Sequence, residues 1–317
     1  MKKCLPITVA LLLVLPSITV ARESLTQFAE HLVTQALKKS VEKATERPGS
    51  KATEAYSPSG GTKNQGTSVE NHANPSFCKD NYFNGTAPNI LNAKLDQKTQ
   101  HICYPGYATY FSGVTRTPLW SADHLTLDRI SNACAMKRQD AFHPDENLAP
   151  DERAELADYV RSGYDRGHMV PSADAPDPSS QADTFSLANM VPQIHANNAG
   201  IWERLENGAR NAAMSGHEIY VVSGPLFEGA SIEQLQHRVM IPTSVFKAVY
   251  DATSHQAGVF VTTNNDDQNV QLLSVNDLAS RSGIDVFPTL PTTEKTQASP
   301  VISPEQRTQC KGIKKHD

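Results

Sequence analysis

Residues able to do chemistry gather in three short runs. The first is Ser162-Gly163-Tyr164-Asp165-Arg166-Gly167-His168-Met169-Val170-Pro171; the second is Asn189-Met190-Val191-Pro192-Gln193; the third runs from Asn197-Asn198 through Gly200, Trp202 and Glu203 to Glu206. His168 stands beside a glycine, an arginine and an acid, neighbours that can set the charge and tautomer of an imidazole. A neutral imidazole can take a proton from water near pH 7, and Gly167 permits a tight backbone path. Asn198 opens a predicted helix, and Glu206 follows two turns later on nearly the same face. An amide oxygen and a carboxylate so placed suit a hard cation such as Mg²⁺, which keeps several waters and needs only one or two protein ligands. Base, hydrated metal and arginine together match phosphodiester hydrolysis. Each residue also has a plainer use. Asn198 could only cap its helix, and Glu206 and Arg138 could be solvated surface charges, so the combination carries the reading.

These residues must be held by a framework, and its pattern is mixed. Strands are expected at Cys103 to Phe111, Leu119 to Trp120, Glu218 to Val222, Val239 to Tyr250 and Gly258 to Thr263, where Val, Ile, Phe and Tyr concentrate. Helices are expected at Ala199 to Met214, with Ile201, Leu205, Ala209 and Ala212 on one side, and at Val275 to Ser282. Strands and helices without regular alternation point to an α+β domain with a largely antiparallel sheet, over about residues 76–290. Residues 291–317 read as a polar tail that Cys310 could pin back.

The N-terminal region is of another kind. Lys2 and Lys3 precede an apolar run, Ile7 to Leu15, and Thr19-Val20-Ala21 offers a cleavage site, so residues 1–21 read as a signal peptide rather than a membrane anchor. This predicts an exported, bacterial protein, in the periplasm or the medium, with no membrane segment in its mature form. Residues 22–47 carry helical periodicity and could pack on the domain, pair two copies into a homodimer or stay mobile; residues 48–75 are a flexible Ser/Gly/Thr-rich linker. In an oxidising compartment Cys78, Cys103, Cys134 and Cys310 would form two disulfides, with three pairings open. The absence of a CxxC pair argues against a zinc ribbon. A net charge of -5 means that any field attracting nucleic acid must be local.

In order and spacing, the runs Tyr164 to Pro171, Asn189 to Gln193 and Asn198 to Glu206, with Tyr220-Val221-Val222-Ser223-Gly224-Pro225 downstream, resemble the DNA/RNA nonspecific endonucleases of the ββα-metal (His-Me finger) group, the relatives of Serratia nuclease and endonuclease G. The resemblance covers roughly residues 120–261. It implies the ββα-metal fold, a central mainly antiparallel sheet flanked by helices, and hydrolysis of DNA and RNA to 5′-phosphate products with Mg²⁺, for which Mn²⁺ could substitute. His168 falls at the position of the general base, Asn198 at the direct metal ligand, Glu206 at the acid that holds the ion's water, and Asn189 at a supporting amide. Arg138 falls at the arginine that stabilises the phosphate, while Asp165, Arg166 and Gly167 belong to the motif and position its loop. His195 and His217 match no motif role and read as surface or packing residues. The alternative to an enzyme is a noncatalytic exported nucleic-acid-binding protein that retains the fold.

Overall fold

The computed structural model of this chain describes residues 75–310. The expected signal peptide, the helical segment 22–47, the linker (except its last residue) and the C-terminal lysines Lys311, Lys314 and Lys315 lie outside the described residues. A seven-stranded sheet organises the rest. Its strands are β1 (Thr99–Tyr104), β2 (Tyr107–Ser112), β3 (Thr117–Leu125), β6 (Ile219–Leu226), β7 (Ser244–Asp251), β8 (Gln256–Thr263) and β9 (Val270–Leu273), numbered so as to leave β4 (Asp165–His168) and β5 (Met190–Gln193) for a separate two-stranded ribbon. The spatial order is β9-β8-β7-β6-β3-β2-β1, and every pairing is antiparallel. Four helices matter for the site: α1 (Leu127–Ala135), α2 (Pro178–Thr184), α3 (Glu203–Met214) and α4 (Val275–Ser282).

The central strands are buried on both faces, which explains their near-continuous apolar runs. On one face Ala122, Val222, Ala248, Val259 and Val261 meet Val275 and Leu278 of α4. On the other, Leu125, Val221, Val249 and Phe260 pack against Ile130 of α1 and Leu205, Ala209 and Ala213 of α3. That second face carries the site, and it is not wholly apolar. Asp123 lies opposite Val221, and Lys247 lies opposite Ser223, to whose Oγ its Nζ donates at 2.8 Å.

Three local differences from the sequence reading have simple causes. The single strand expected at Cys103 to Phe111 is a hairpin, because Pro105-Gly106 turns the chain between Tyr104 and its partner Tyr107. The regular helix expected from Ala199 begins as a wide π-type turn, Asn197–Trp202, in which Gly200 adopts φ -110° and ψ -110°. The polar segment from residue 291 is pinned back by Cys310, as the sequence allowed, but it also supplies a core residue: Ile302 is buried under α3. The disulfides take one of the three open pairings, Cys78–Cys103 and Cys134–Cys310, with Cα separations of 5.6 and 5.8 Å. Among the described residues no helix is long and apolar enough to cross a membrane.

Candidate active site

The ribbon β4–β5 followed by α3 forms a ββα unit on the second face of the sheet. His168 ends β4 and pairs with Met190 of β5. Its backbone oxygen accepts from Trp202 Nε1 at 3.1 Å, which ties the strand to the π turn. Its ring stands edge-on to Phe185, 5.1 Å between centroids, and 5.6 Å from Phe142. Nε2 is buried without a hydrogen-bond partner. Burial, with the nearby Arg138 and Arg166 cations, pushes the imidazole pKa down to about 3 against a partial offset from Asp140. The ring is therefore neutral at pH 7 and able to accept a proton. An anionic phosphodiester in the cleft would raise its basicity.

Gly167 serves a need other than a tight turn. Its φ is not in the left-handed region; instead a Cβ there would lie 2.1 Å from Gln193 Oε1 and 2.7 Å from Gln193 Cβ. The missing side chain lets Gln193 lie against the ribbon, where its Nε2 donates to Asn197 Oδ1, and Asn197 Nδ2 in turn donates to the Thr263 carbonyl of β8 at 2.9 Å. Asn189 is fully buried and works on the backbone. Its Oδ1 accepts from Val170 N at 3.0 Å, and its Nδ2 donates to Val170 O at 2.8 Å and Thr184 O at 3.0 Å. It holds the chain just after His168 and does not line the cleft.

A cleft of about 600 Å³ brings together His168, Arg138, Arg166, Asn198, Glu206 and Arg210. Asn198 Nδ2 donates to Asp165 Oδ2 at 2.9 Å, and His195 Nδ1 shares that carboxylate at 2.8 Å. A carboxylate beside an amide selects its nitrogen, so the Asn198 oxygen is the end left for a cation. Burial raises the Glu206 carboxyl to about 7, opposed by Lys247 and Arg210, with Asp174 and Glu203 adding to the rise. A divalent ion nearby would favour its charged form. This donor set, an amide oxygen with a carboxylate in an open, water-accessible cleft, fits a hard cation. Cys78, His101 and Cys103 also converge, but the two sulfurs are joined to each other and offer no thiolate to a metal. Arg138 is less fixed. Its Nε donates to Asp140 Oδ1 at 2.6 Å, its Nη1 to Ser172 Oγ at 3.3 Å, and its guanidinium lies 5.1 Å from the Phe185 ring centroid. Arg166 stacks on Phe142 at 4.0 Å.

Comparison with known proteins bears on this geometry directly. The family model for DNA/RNA non-specific endonuclease matches residues 86–293, which include every residue of the ββα unit. The chain belongs to that family. It is similar to the mitochondrial nuclease EXOG of Danio rerio, 34% identical over 209 residues (59% of this chain, 60% of the relative), and to a nuclease of a Nostoc species, 34% identical over 196 residues (56% and 70%). It also superposes on a chain of the solved EndoG/EndoGI complex with a TM-score of 0.57 at 25% identity, over 61% of this chain and 88% of that one. The chain spans about three fifths of the length of the EXOG relatives it matches. This family member departs from one expectation of the sequence. Relatives whose names state a location, from zebrafish and human to yeasts, are mitochondrial nucleases, so the expectation of an exported periplasmic or secreted protein is not upheld. Two lysines before a short apolar run are a pattern of composition, and composition of that kind does not encode a compartment.

His217, expected as a surface or packing residue, is half-exposed and pairs with Asp251 at 2.7 Å, away from the cleft. Arg210 and Lys247 were not picked out by the motifs. Arg210 is buried at the cleft and pairs with Asp174 at 2.8 Å; Lys247 is buried with Nζ 4.5 Å from the Trp202 ring centroid. Both had a signal: Arg210 lies four residues after Glu206 on one helix face, and Lys247 interrupts an apolar strand.

Proposed function

We propose that this chain is a metal-dependent endonuclease that hydrolyses the phosphodiester bonds of DNA and RNA with little base preference, leaving 5′-phosphates. The observation that carries the reading is a neutral, buried imidazole, His168, facing the same cleft as an oriented amide oxygen on Asn198 and the carboxylate of Glu206. A divalent ion, Mg²⁺ or in its place Mn²⁺, fits beside Asn198 with Glu206 close by, and when bound supplies Lewis-acid stabilisation of the charge that develops on the phosphoryl and leaving oxygens. His168 takes the proton from the attacking water. Phe142 and Phe185 fix the plane of its ring, Trp202 holds its carbonyl, and Asn189 holds the backbone just after it. Asp165 orients Asn198, and the Arg138 and Arg166 guanidiniums offer positive charge to the phosphate backbone. Contacts made to phosphate carry no base information, which accounts for weak sequence preference.

The test is degradation of plasmid DNA and of RNA by the purified chain with Mg²⁺, its loss with EDTA, and end-group analysis of the products. His168→Ala should lower turnover by about 10²–10⁴-fold with an unchanged circular dichroism spectrum. A fully active, well-folded variant would refute the assignment of the base. Retention of labelled DNA without cleavage across metals and pH would favour a noncatalytic binding protein.

A further inference from the structure

Residues 299–310 follow the part of the chain that matches the family model, yet they lie along the helix that carries Glu206. Ser299 N donates to Ala257 O at 3.0 Å, and Glu305 N donates to Arg204 O at 2.8 Å. Two glycines make room for this segment. A Cβ on Gly258 of β8 would lie 1.9 Å from Ser299 O, and one on Gly208 of α3 would lie 2.1 Å from Ser303 O. Side chains of α3 then grip its backbone: Asn207 Nδ2 donates to Glu305 O at 3.2 Å, Asn211 Nδ2 donates to Arg307 O at 3.1 Å, and Asn211 Oδ1 accepts from Gln309 N at 2.6 Å. Cys310 closes the segment onto Cys134 at the end of α1.

Its contact with the cleft passes through Arg210. The three nitrogens of this buried guanidinium donate to three segments of the chain: Nη1 to Asp174 Oδ1 at 2.8 Å, Nη2 to Asn207 Oδ1 at 2.8 Å, and Nε to Thr308 Oγ1 at 2.7 Å. The Thr308 hydroxyl in turn donates to Asn207 Oδ1 at 2.9 Å, which closes a ring of three bonds. Arg210 borders the cleft one helical turn beyond Glu206. The Arg210 charge acts on the Glu206 carboxyl through space, so a fork held from three sides fixes where that charge sits, and losing one tie lets it shift.

We propose that residues 299–310 form a strap that belongs to the active site, in which Thr308 is a positioning residue for Arg210 and, through it, for Glu206. The proposal rests on reading the cleft as a nuclease site, and its test separates the two. Thr308→Val keeps the shape and removes the hydroxyl; Thr308→Ser restores it. With plasmid substrate, Thr308→Val should lower kcat about tenfold with KM unchanged, and Thr308→Ser should return kcat to within about twofold of the parent. Independently of activity, hydrogen exchange of the amides of residues 207–214, measured in EDTA, should quicken about tenfold in the valine variant and not in the serine variant. Parental kcat and parental exchange in Thr308→Val would overturn the proposal, as would equal impairment of the valine and serine variants. If the parent chain cleaves no nucleic acid, the nuclease reading fails, and the exchange measurement alone decides whether the strap governs the helix.

Discussion

Gly167→Ala tests how the motif glycine acts. The added Cβ would sit 2.1 Å from Gln193 Oε1 and 2.7 Å from Gln193 Cβ. Swinging the amide aside relieves the first contact but not the second, because Gln193 Cβ is fixed to β5, two residues from the pairing of Gly167 with Val191. Ordinary carbon contact is about 3.5–4.0 Å, so the ribbon must open by about 1 Å. Overpacking of this kind costs about 1–3 kcal/mol, and loss of the hydrogen bond from Gln193 to Asn197 adds about 1 kcal/mol. The expected destabilisation is therefore about 2–4 kcal/mol in urea unfolding. The function should suffer more than the fold. His168 is the next residue, and a displacement of about 1 Å at a catalytic group can cost about 10²-fold in rate. Adding Gln193→Gly removes both clashing atoms and should return part of the lost stability. A Gly167→Ala chain with parental stability and turnover would show that the close approach of Gln193 does not constrain the ribbon.

Other consequences concern charge and covalent ties. Burial and the Asp174 carboxylate push Asp123 up to about 7, against Arg129 and Lys247. A carboxyl whose folded pKa is raised loses its contribution to stability as pH rises through the window from about 4 to about 7. Asp123→Asn should flatten that slope, matching the parent below pH 4 and exceeding it above pH 7 by up to about 4 kcal/mol; an unchanged profile from urea midpoints across pH would contradict the shift. Cys134 and Cys310 are 176 residues apart and Cys78 and Cys103 only 25. In the chain-entropy model the longer closure contributes about 5 kcal/mol and the shorter about 3.5 kcal/mol. Cys310→Ser should then unfold at lower denaturant than Cys78→Ser, and the reverse order would count against an entropic origin. Trp202→Phe keeps an aromatic ring near Lys247 but removes the donor to the His168 carbonyl, so turnover should fall about tenfold, and the lost bond and the smaller buried ring together should cost about 2–3 kcal/mol in stability; comparing kcat with the unfolding midpoint reads both.

The motifs that carry His168, Asn198 and Glu206 could be read in the sequence, and their resemblance implied a ββα unit, but the two ribbon strands, only four residues each, were too short to show a periodicity of their own. Strand β8 and helix α4 were legible from local periodicity. The π turn at Gly200 was not, since one wide turn barely disturbs a helical pattern. Lys247 showed only as a charge interrupting an apolar strand; its burial depends on Ser223 across the sheet and on Trp202 of the π turn. The strap reads as a polar tail because its bonds are mostly made by its backbone, with polar side chains of α3 as partners, and neither composition nor periodicity records such contacts. Its two beds, Gly208 and Gly258, have meaning only once helix and strand are seen side by side.

The bond between Cys134 and Cys310 also changes what a cut in the chain would mean. It turns residues 134–310 into a covalent loop that contains His168, Asn198, Glu206 and the strap. A single proteolytic nick at an exposed turn within it, such as the one around Gly229 and Ala230, opens the loop without releasing either piece. The nicked protein would migrate as one chain until reduced, and the cleft would still be assembled from both fragments. Proteolytic damage at one surface turn is thereby separated from loss of the groups that line the cleft, and two cuts or a reductant are needed to set a fragment free.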